Sequence, residues 1–223
     1  MKSVLLIGQS NMAGRGFLHE VKPIYNENIL MLRNGRWQMM AEPIHFDRSV
    51  AGIGPAASFA QAWCNANKNE QVGLIPCAEG GSSIDEWNVE GALFRHAISE
   101  AKFAMETSDL IAILWHQGES DHAHGDKYYE NLKAVVTYVR NHLSEKTGKD
   151  YSNLPFIFGT VAKKNKQYGS EVEAAMKRFA KEDKNAYLID MSDAELMGDR
   201  LHFNQNSAEY LGKQMYEQIK AIR

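Results

Sequence analysis

Ser10 stands where an apolar run, Val4-Leu5-Leu6-Ile7, stops at Gly8-Gln9-Ser10-Asn11. Such a run reads as a buried strand that delivers its last residues into a tight polar turn. If a helix begins just after the turn, the orphan N–H groups of its first turn face the serine and can hydrogen-bond developing negative charge. A hydroxyl there can act as a nucleophile, provided a base takes its proton. His202, three residues after Asp199, is the matching base. In a turn, the aspartate can fold back to accept from the imidazole Nδ1–H, leaving Nε2 free for the serine proton. Each feature alone has a plainer reading, Ser10 or Asn11 as a helix cap and Asp199-x-x-His202 as a local turn.

Attack on an ester carbonyl puts charge on the carbonyl oxygen, and donors must aim there. The candidates are the backbone N–H of Ser10, the backbone N–H of Gly81 and the side-chain amide of Gln117. Gly81 is preferred to Gly80 because it stands against Ser82-Ser83, the start of a turn or helix, where its N–H would be free. The Gly-Gly-Ser loop can equally be a plain tight turn, and Gln117 a strut beneath the site. Gln9, Asn11, Glu119 and Trp87 flank these positions and are candidate substrate contacts. Glu119 can instead orient Gln117, and Trp87 can stack on a pyranose or pack under the loop. His116, Glu119, Asp121, His122, His124 and Asp126 crowd one loop. No pair among them has the helical His-Glu-x-x-His spacing, so the loop is read as the mouth of a site, with no metal or cofactor expected.

The elements that must position these residues follow from periodicity. Strands are expected at the first apolar run, Val72 to Ala78, Leu110 to Trp115, Pro155 to Val161 and Ala186 to Met191. Helices are expected over Pro55 to Asn67, Leu93 to Met105, Asp126 to Ser144 and around Val172 to Phe179, with a last helix capped by Asn206 or Ser207. Asn34-Gly35 between apolar runs predicts a hairpin over Ile29 to Met40, taken as an excursion outside the main sheet. Strands alternating with helices mean a mainly parallel, five-stranded sheet covered on both faces. Its ligand site lies outside the carboxyl ends of the strands, the rim that carries Ser10, Gly81, Gln117 and the Asp199-His202 pair.

A length of 223 residues with 44% hydrophobic and 24% charged content suits one domain, 1–223, with a proper core. A net charge of -3 with scattered basic residues gives no footprint for nucleic acid or an anionic membrane. Cys64 and Cys77 have no zinc or redox spacing and read as reduced core residues. The first apolar run is too short for a signal-peptide core, and no apolar stretch reaches membrane-spanning length. The expectation is therefore a cytoplasmic protein acting on a small molecule.

GQSNMAGRG, GIGPAASFA, IPCAEGGSSIDEW, LWHQGESD and DRLHFN, in that order, resemble the SGNH-type (GDSL-like) hydrolase superfamily. The similarity is to its carbohydrate acetylesterase branch, which includes sialate O-acetylesterases and family-six acetylxylan esterases. The resemblance implies a flavodoxin-like three-layer α/β/α fold and a metal-independent esterase that removes acetyl groups from sugars. By motif position it supports Ser10 as nucleophile, Gly81 and Gln117 as oxyanion donors, and Asp199 with His202 as the rest of a triad. Where the wider superfamily has Gly-x-Asn-Asp, Gln117 stands in for the asparagine. The alternatives are a lipid or thioester hydrolase on the same fold, a carbohydrate-binding protein without turnover, and a metal-dependent hydrolase built on the His116 to Asp126 loop.

Overall fold

A computed structural model describes residues 1–222. In chain order the elements are β1 (Lys2–Gly8), the single-turn helix α1 (Ser10–Ala13), β2 (Ile29–Arg33), β3 (Arg36–Met39), α2 (Pro55–Ala66) and β4 (Val72–Pro76). There follow α3 (Ala92–Met105), β5 (Asp109–His116), α4 (Gly125–Thr147), β6 (Phe156–Gly159), α5 (Ser170–Glu182), β7 (Ala186–Ile189) and α6 (Gln205–Ile222). The strands form one sheet in the order β3-β2-β4-β1-β5-β6-β7, parallel except for β3. β1 is thus central, and the chain reverses its direction of winding on either side of it. The carboxyl end of β1 is therefore the crevice such sheets use for ligands.

Alternation along the central strands assigns the two covering layers. Leu5, Ile7, Ile113 and Trp115 face a core shared with Ile98 of α3, Leu132 and Val136 of α4 and Met176 of α5. Val4, Leu6, Ala112 and Leu114 face the opposite core, with Phe59 of α2 and Leu211 and Met215 of α6. Strands buried on both faces explain why β1 and β5 read as continuous apolar runs. Cys64 and Cys77 are unbridged and buried. Among the described residues, no helix is long and apolar enough to cross a membrane.

Two sequence expectations are corrected here. The Asn34-Gly35 hairpin forms, with both residues at positive φ (51° and 67°), but it belongs to the sheet. Ile29, Leu30 and Met31 pair in parallel with Val72, Gly73 and Leu74, which raises the strand count from five to seven. Burial drives the pairing, because Ile29, Met31 and Leu32 are covered and Trp37 of β3 donates to Thr107 Oγ1 at 3.0 Å. The last helix begins at Gln205, and Asn204 caps it, its Oδ1 accepting from the Ser207 N–H at 3.0 Å. The Ser207 hydroxyl instead accepts from the Glu195 N–H.

Candidate active site

β1 passes into α1 through a turn only glycine fits. Gly8 has φ +128°, and a Cβ there would lie 2.2 Å from the His116 carbonyl oxygen of β5. The Gln9 N–H donates to that same oxygen at 2.8 Å, and the Gly8 carbonyl accepts from the Glu79 N–H at 3.0 Å. The ends of β1, β4 and β5 are thereby tied together around Ser10, the first residue of α1. As a first-turn residue, Ser10 has no intrahelical acceptor for its N–H. No described residue takes that N–H.

The Ser10 hydroxyl lies 3.1 Å from His202 Nε2, and His202 Nδ1 lies 2.6 Å from Asp199 Oδ2. With the ring proton on Nδ1, the imidazole donates to Asp199 and Nε2 accepts from Ser10. Asp199 Oδ1 also accepts from the backbone N–H groups of Leu201 and His202 at 2.9 and 3.0 Å. This local turn is what the three-residue spacing makes possible, with Arg200 between them at φ 57°. Partial burial opposes the charge of Asp199, but the two N–H groups and the imidazole outweigh it and hold its carboxyl below the usual range.

On the opposite side lies the glycine loop. The Gly80 N–H donates to Asp47 Oδ2 at 2.9 Å, and the same oxygen is 2.5 Å from Arg15 Nη2. Arg15 and Asp47 are buried, and a Cβ on Gly80 would meet Arg15 Nη2 at 2.2 Å. Arg48 Nη2 holds the Gly80 carbonyl at 3.1 Å. Gly81, at φ +82°, accepts at its carbonyl from the Ser120 hydroxyl at 3.1 Å. Its N–H meets no described partner. The Gly80 N–H is therefore spent and the Gly81 N–H is not.

Gln117 is turned inward, contrary to the expectation of an oxyanion donor. It is wholly buried, and its amide N–H groups end on the Ser82 carbonyl and the Asp121 carboxylate, beneath the glycine loop. Its backbone carbonyl accepts from the Tyr128 hydroxyl at 3.1 Å. Burial pushes Asp121 up, more than its bonds from Gln117 and the Ile84 N–H bring it down. Gln9 has the free amide. Its Oε1 accepts from the N–H groups of Gly118 and Ser120 at 3.3 and 3.2 Å, which leaves Nε2 without a described partner.

Three proposed substrate contacts are structural in this arrangement. Asn11 Nδ2 donates to Glu119 Oε1 at 2.5 Å and the Leu201 carbonyl at 3.2 Å, and its Oδ1 accepts from the Phe203 N–H at 2.9 Å. It laces α1 to the His202 loop. Glu119 is fully buried, 3.1 Å from His116 Nε2. Burial opposes its charge, but His116 and the Asn11 amide prevail and hold its carboxyl below the usual range. Trp87 is also fully buried, donating to Ser82 Oγ at 3.0 Å and packing edge-on to Trp115. No sugar can reach its face. Among the described residues, no group of three or more His, Cys, Asp or Glu side chains is placed to hold a metal.

Beside His202 opens a pocket of about 580 Å³, lined by residues that include Arg15, Phe17, Leu18, Val50 and Met197. None of these, nor Asp47, was singled out from sequence. The Arg15-Gly16 end of the first motif and the Asp47-Arg48 pair were the available signals, but their partners are remote in the chain.

This geometry coincides with similarity along nearly the whole chain. A protein described as "Probable carbohydrate esterase" from Arabidopsis thaliana is 29% identical over 232 residues, covering 93% of this chain and 86% of that one. A solved Arabidopsis thaliana structure superposes with a TM-score of 0.88 at 27% identity, covering 99% and 98% of the two chains. The structure of NanS shares the fold at a TM-score of 0.75 and 13% identity, covering 99% of this chain and 97% of its own. A carbohydrate acetylesterase from Xanthomonas citri does so at 0.69 and 14%, covering 100% and 57%. The three-layer fold with its mainly parallel sheet is accordingly that of SGNH-type hydrolases. Since the model of the family described as "Carbohydrate esterase, sialic acid-specific acetylesterase" matches residues 1–221, the chain belongs to that family.

Proposed function

We propose that the chain is a serine esterase that removes O-acetyl groups from a small carbohydrate through an acyl-enzyme. The observation that carries this reading is the Ser10–His202–Asp199 chain of contacts, 3.1 and 2.6 Å, at the carboxyl end of the central strand. His202 Nε2 takes the Ser10 proton as Oγ bonds to the acetyl carbonyl carbon, and Asp199 stabilises the imidazolium. The charge that develops on the carbonyl oxygen is met by the N–H groups of Ser10 and Gly81 and by the Gln9 amide, three donors with no other described partner. Collapse breaks the bond to the sugar oxygen, which leaves with the proton from His202. Water, deprotonated by His202, then attacks the acetyl-serine, and acetate departs as Ser10 regains its proton.

The test is acetate release from an O-acetylated oligosaccharide and from p-nitrophenyl acetate, by wild type, Ser10→Ala and His202→Ala, with and without chelator. The reading predicts activity that needs both residues and ignores the chelator. Activity retained by Ser10→Ala, or lost to the chelator, would overturn it.

A further inference from the structure

Phe17, Leu18 and Val50 wall the pocket beside His202 while remaining 51%, 42% and 67% exposed. Bare apolar side chains clustered beside a reactive group mark a surface that a ligand covers. The Phe17 ring stacks on His19 with centroids 5.5 Å apart and planes 22° from parallel, so the imidazole backs one face of the phenyl ring. Among the described residues that line the pocket, Arg15 is the one Lys or Arg, and its guanidinium is buried against Asp47. Asp199, at the same pocket, adds a negative charge. The wall is largely apolar, and among the described residues it offers an anion no free Lys or Arg.

Proton transfer decides which half of the ester lies there. His202 hands its proton to the departing alcohol oxygen, so the alcohol half occupies the His202 side. The carbonyl oxygen is turned the other way, to Ser10 and Gly81. On the esterase reading above, we propose that Phe17, with His19, Leu18 and Val50, is the specificity-determining wall for the alcohol half, and that this half is an uncharged sugar laid with its C–H face on the Phe17 ring, not a sugar acid. A pyranose presents such an apolar face to an aromatic ring. The carboxylate of a sialic acid would shed its water against this wall with no free Lys or Arg to replace it.

The experiment compares kcat/KM on ethyl acetate, whose alcohol is too small to cover the wall, on a methyl O-acetyl-xyloside, on an O-acetylated sialic acid and on the carboxyl methyl ester of that sialic acid. The wild type is expected to favour the xyloside over the free sialic acid by at least about tenfold, and the methyl ester to recover most of that gap. Phe17→Ala is expected to lower the xyloside to ethyl acetate ratio about tenfold, mainly through KM, while Phe17→Trp keeps it. An unchanged ratio in Phe17→Ala, or a free sialic acid hydrolysed better than its methyl ester, overturns the proposal while leaving the esterase reading intact. Absence of Ser10-dependent hydrolysis of every acetate, ethyl acetate included, overturns both.

Discussion

Replacing Asp47 with asparagine removes the charge against which Arg15 is buried, yet keeps an oxygen within reach of the Gly80 N–H. The side chains of Arg15 and Asp47 are only 6% and 1% exposed, with Nη2 and Oδ2 at 2.5 Å. Breaking a buried pair by removing one partner costs about 3–5 kcal/mol, because the remaining charge is left desolvated. That is a large part of the ~5–15 kcal/mol that stabilises a typical domain, so the thermal midpoint of Asp47→Asn should fall steeply. Asp47→Ala also removes the acceptor that holds Gly80 at 2.9 Å, next to the Gly81 N–H. Misplacing one oxyanion donor costs roughly 10²–10³ in kcat. The double variant Arg15→Met, Asp47→Asn separates the two effects. It has no orphan charge but retains a Gly80 acceptor, so it should recover both stability and most of kcat. Arg15→Met, Asp47→Ala should recover stability alone. Thermal denaturation and kcat on p-nitrophenyl acetate, measured well below each midpoint, give both quantities. An Asp47→Ala variant with wild-type kcat would refute the idea that this pair positions the glycine loop.

Gln9→Glu keeps the oxygen that accepts from Gly118 and Ser120 but replaces the free amide donor with a carboxylate oxygen, and steady-state kinetics should show kcat down by roughly 10²–10³ with a smaller change in KM. Glu119→Ala leaves buried His116 and Asn11 without their acceptor and should cost about 3 kcal/mol in urea denaturation. Because the Glu119 carboxyl sits below its usual range in the fold, its contribution is present at neutral pH and is lost as pH falls through that lowered value. Glu42 behaves oppositely: burial, then Glu209, raise its carboxyl from 4.5 to about 7, so its protonated form favours the fold below pH 4.5 and that advantage is lost as pH rises through about 7. Glu42→Gln should therefore raise the thermal midpoint relative to wild type at pH 8 and not at pH 4, with an upper bound of about 3 kcal/mol before solvent screening.

The parts of the site that were legible in the sequence are those whose partners are close in the chain or whose position is dictated by a strand end. Asp199 and His202 share one turn, and Ser10 follows an apolar run that only a buried strand explains. The alternation that predicts the sheet survives because both faces of β1 and β5 are covered. Side-chain direction was not legible. Whether Gln117 faces the cleft or the protein depends on Ser82 and Asp121, and whether Gln9 keeps a free amide depends on where Gly118 and Ser120 place their N–H groups. Trp87 is under its loop because Trp115, a strand away, packs against it. Asp47 lies 32 residues from Arg15 and 33 from Gly80, and no local pattern joins them. The hairpin is legible in Asn34-Gly35, but the parallel pairing of its first strand with β4 is a tertiary contact.

The central claim is that Ser10 Oγ is the atom that attacks. A p-nitrophenyl phosphonate ester transfers its phosphonyl group to the Oγ of an activated serine as p-nitrophenolate leaves, and the phosphonyl group stays on that oxygen, so peptide mass mapping of the treated protein identifies the residue. The account predicts one phosphonyl group per chain, on the peptide containing Ser10, with acetate release falling in proportion to labelling. Labelling elsewhere with activity lost, or full acetate release from protein labelled at Ser10, would contradict it.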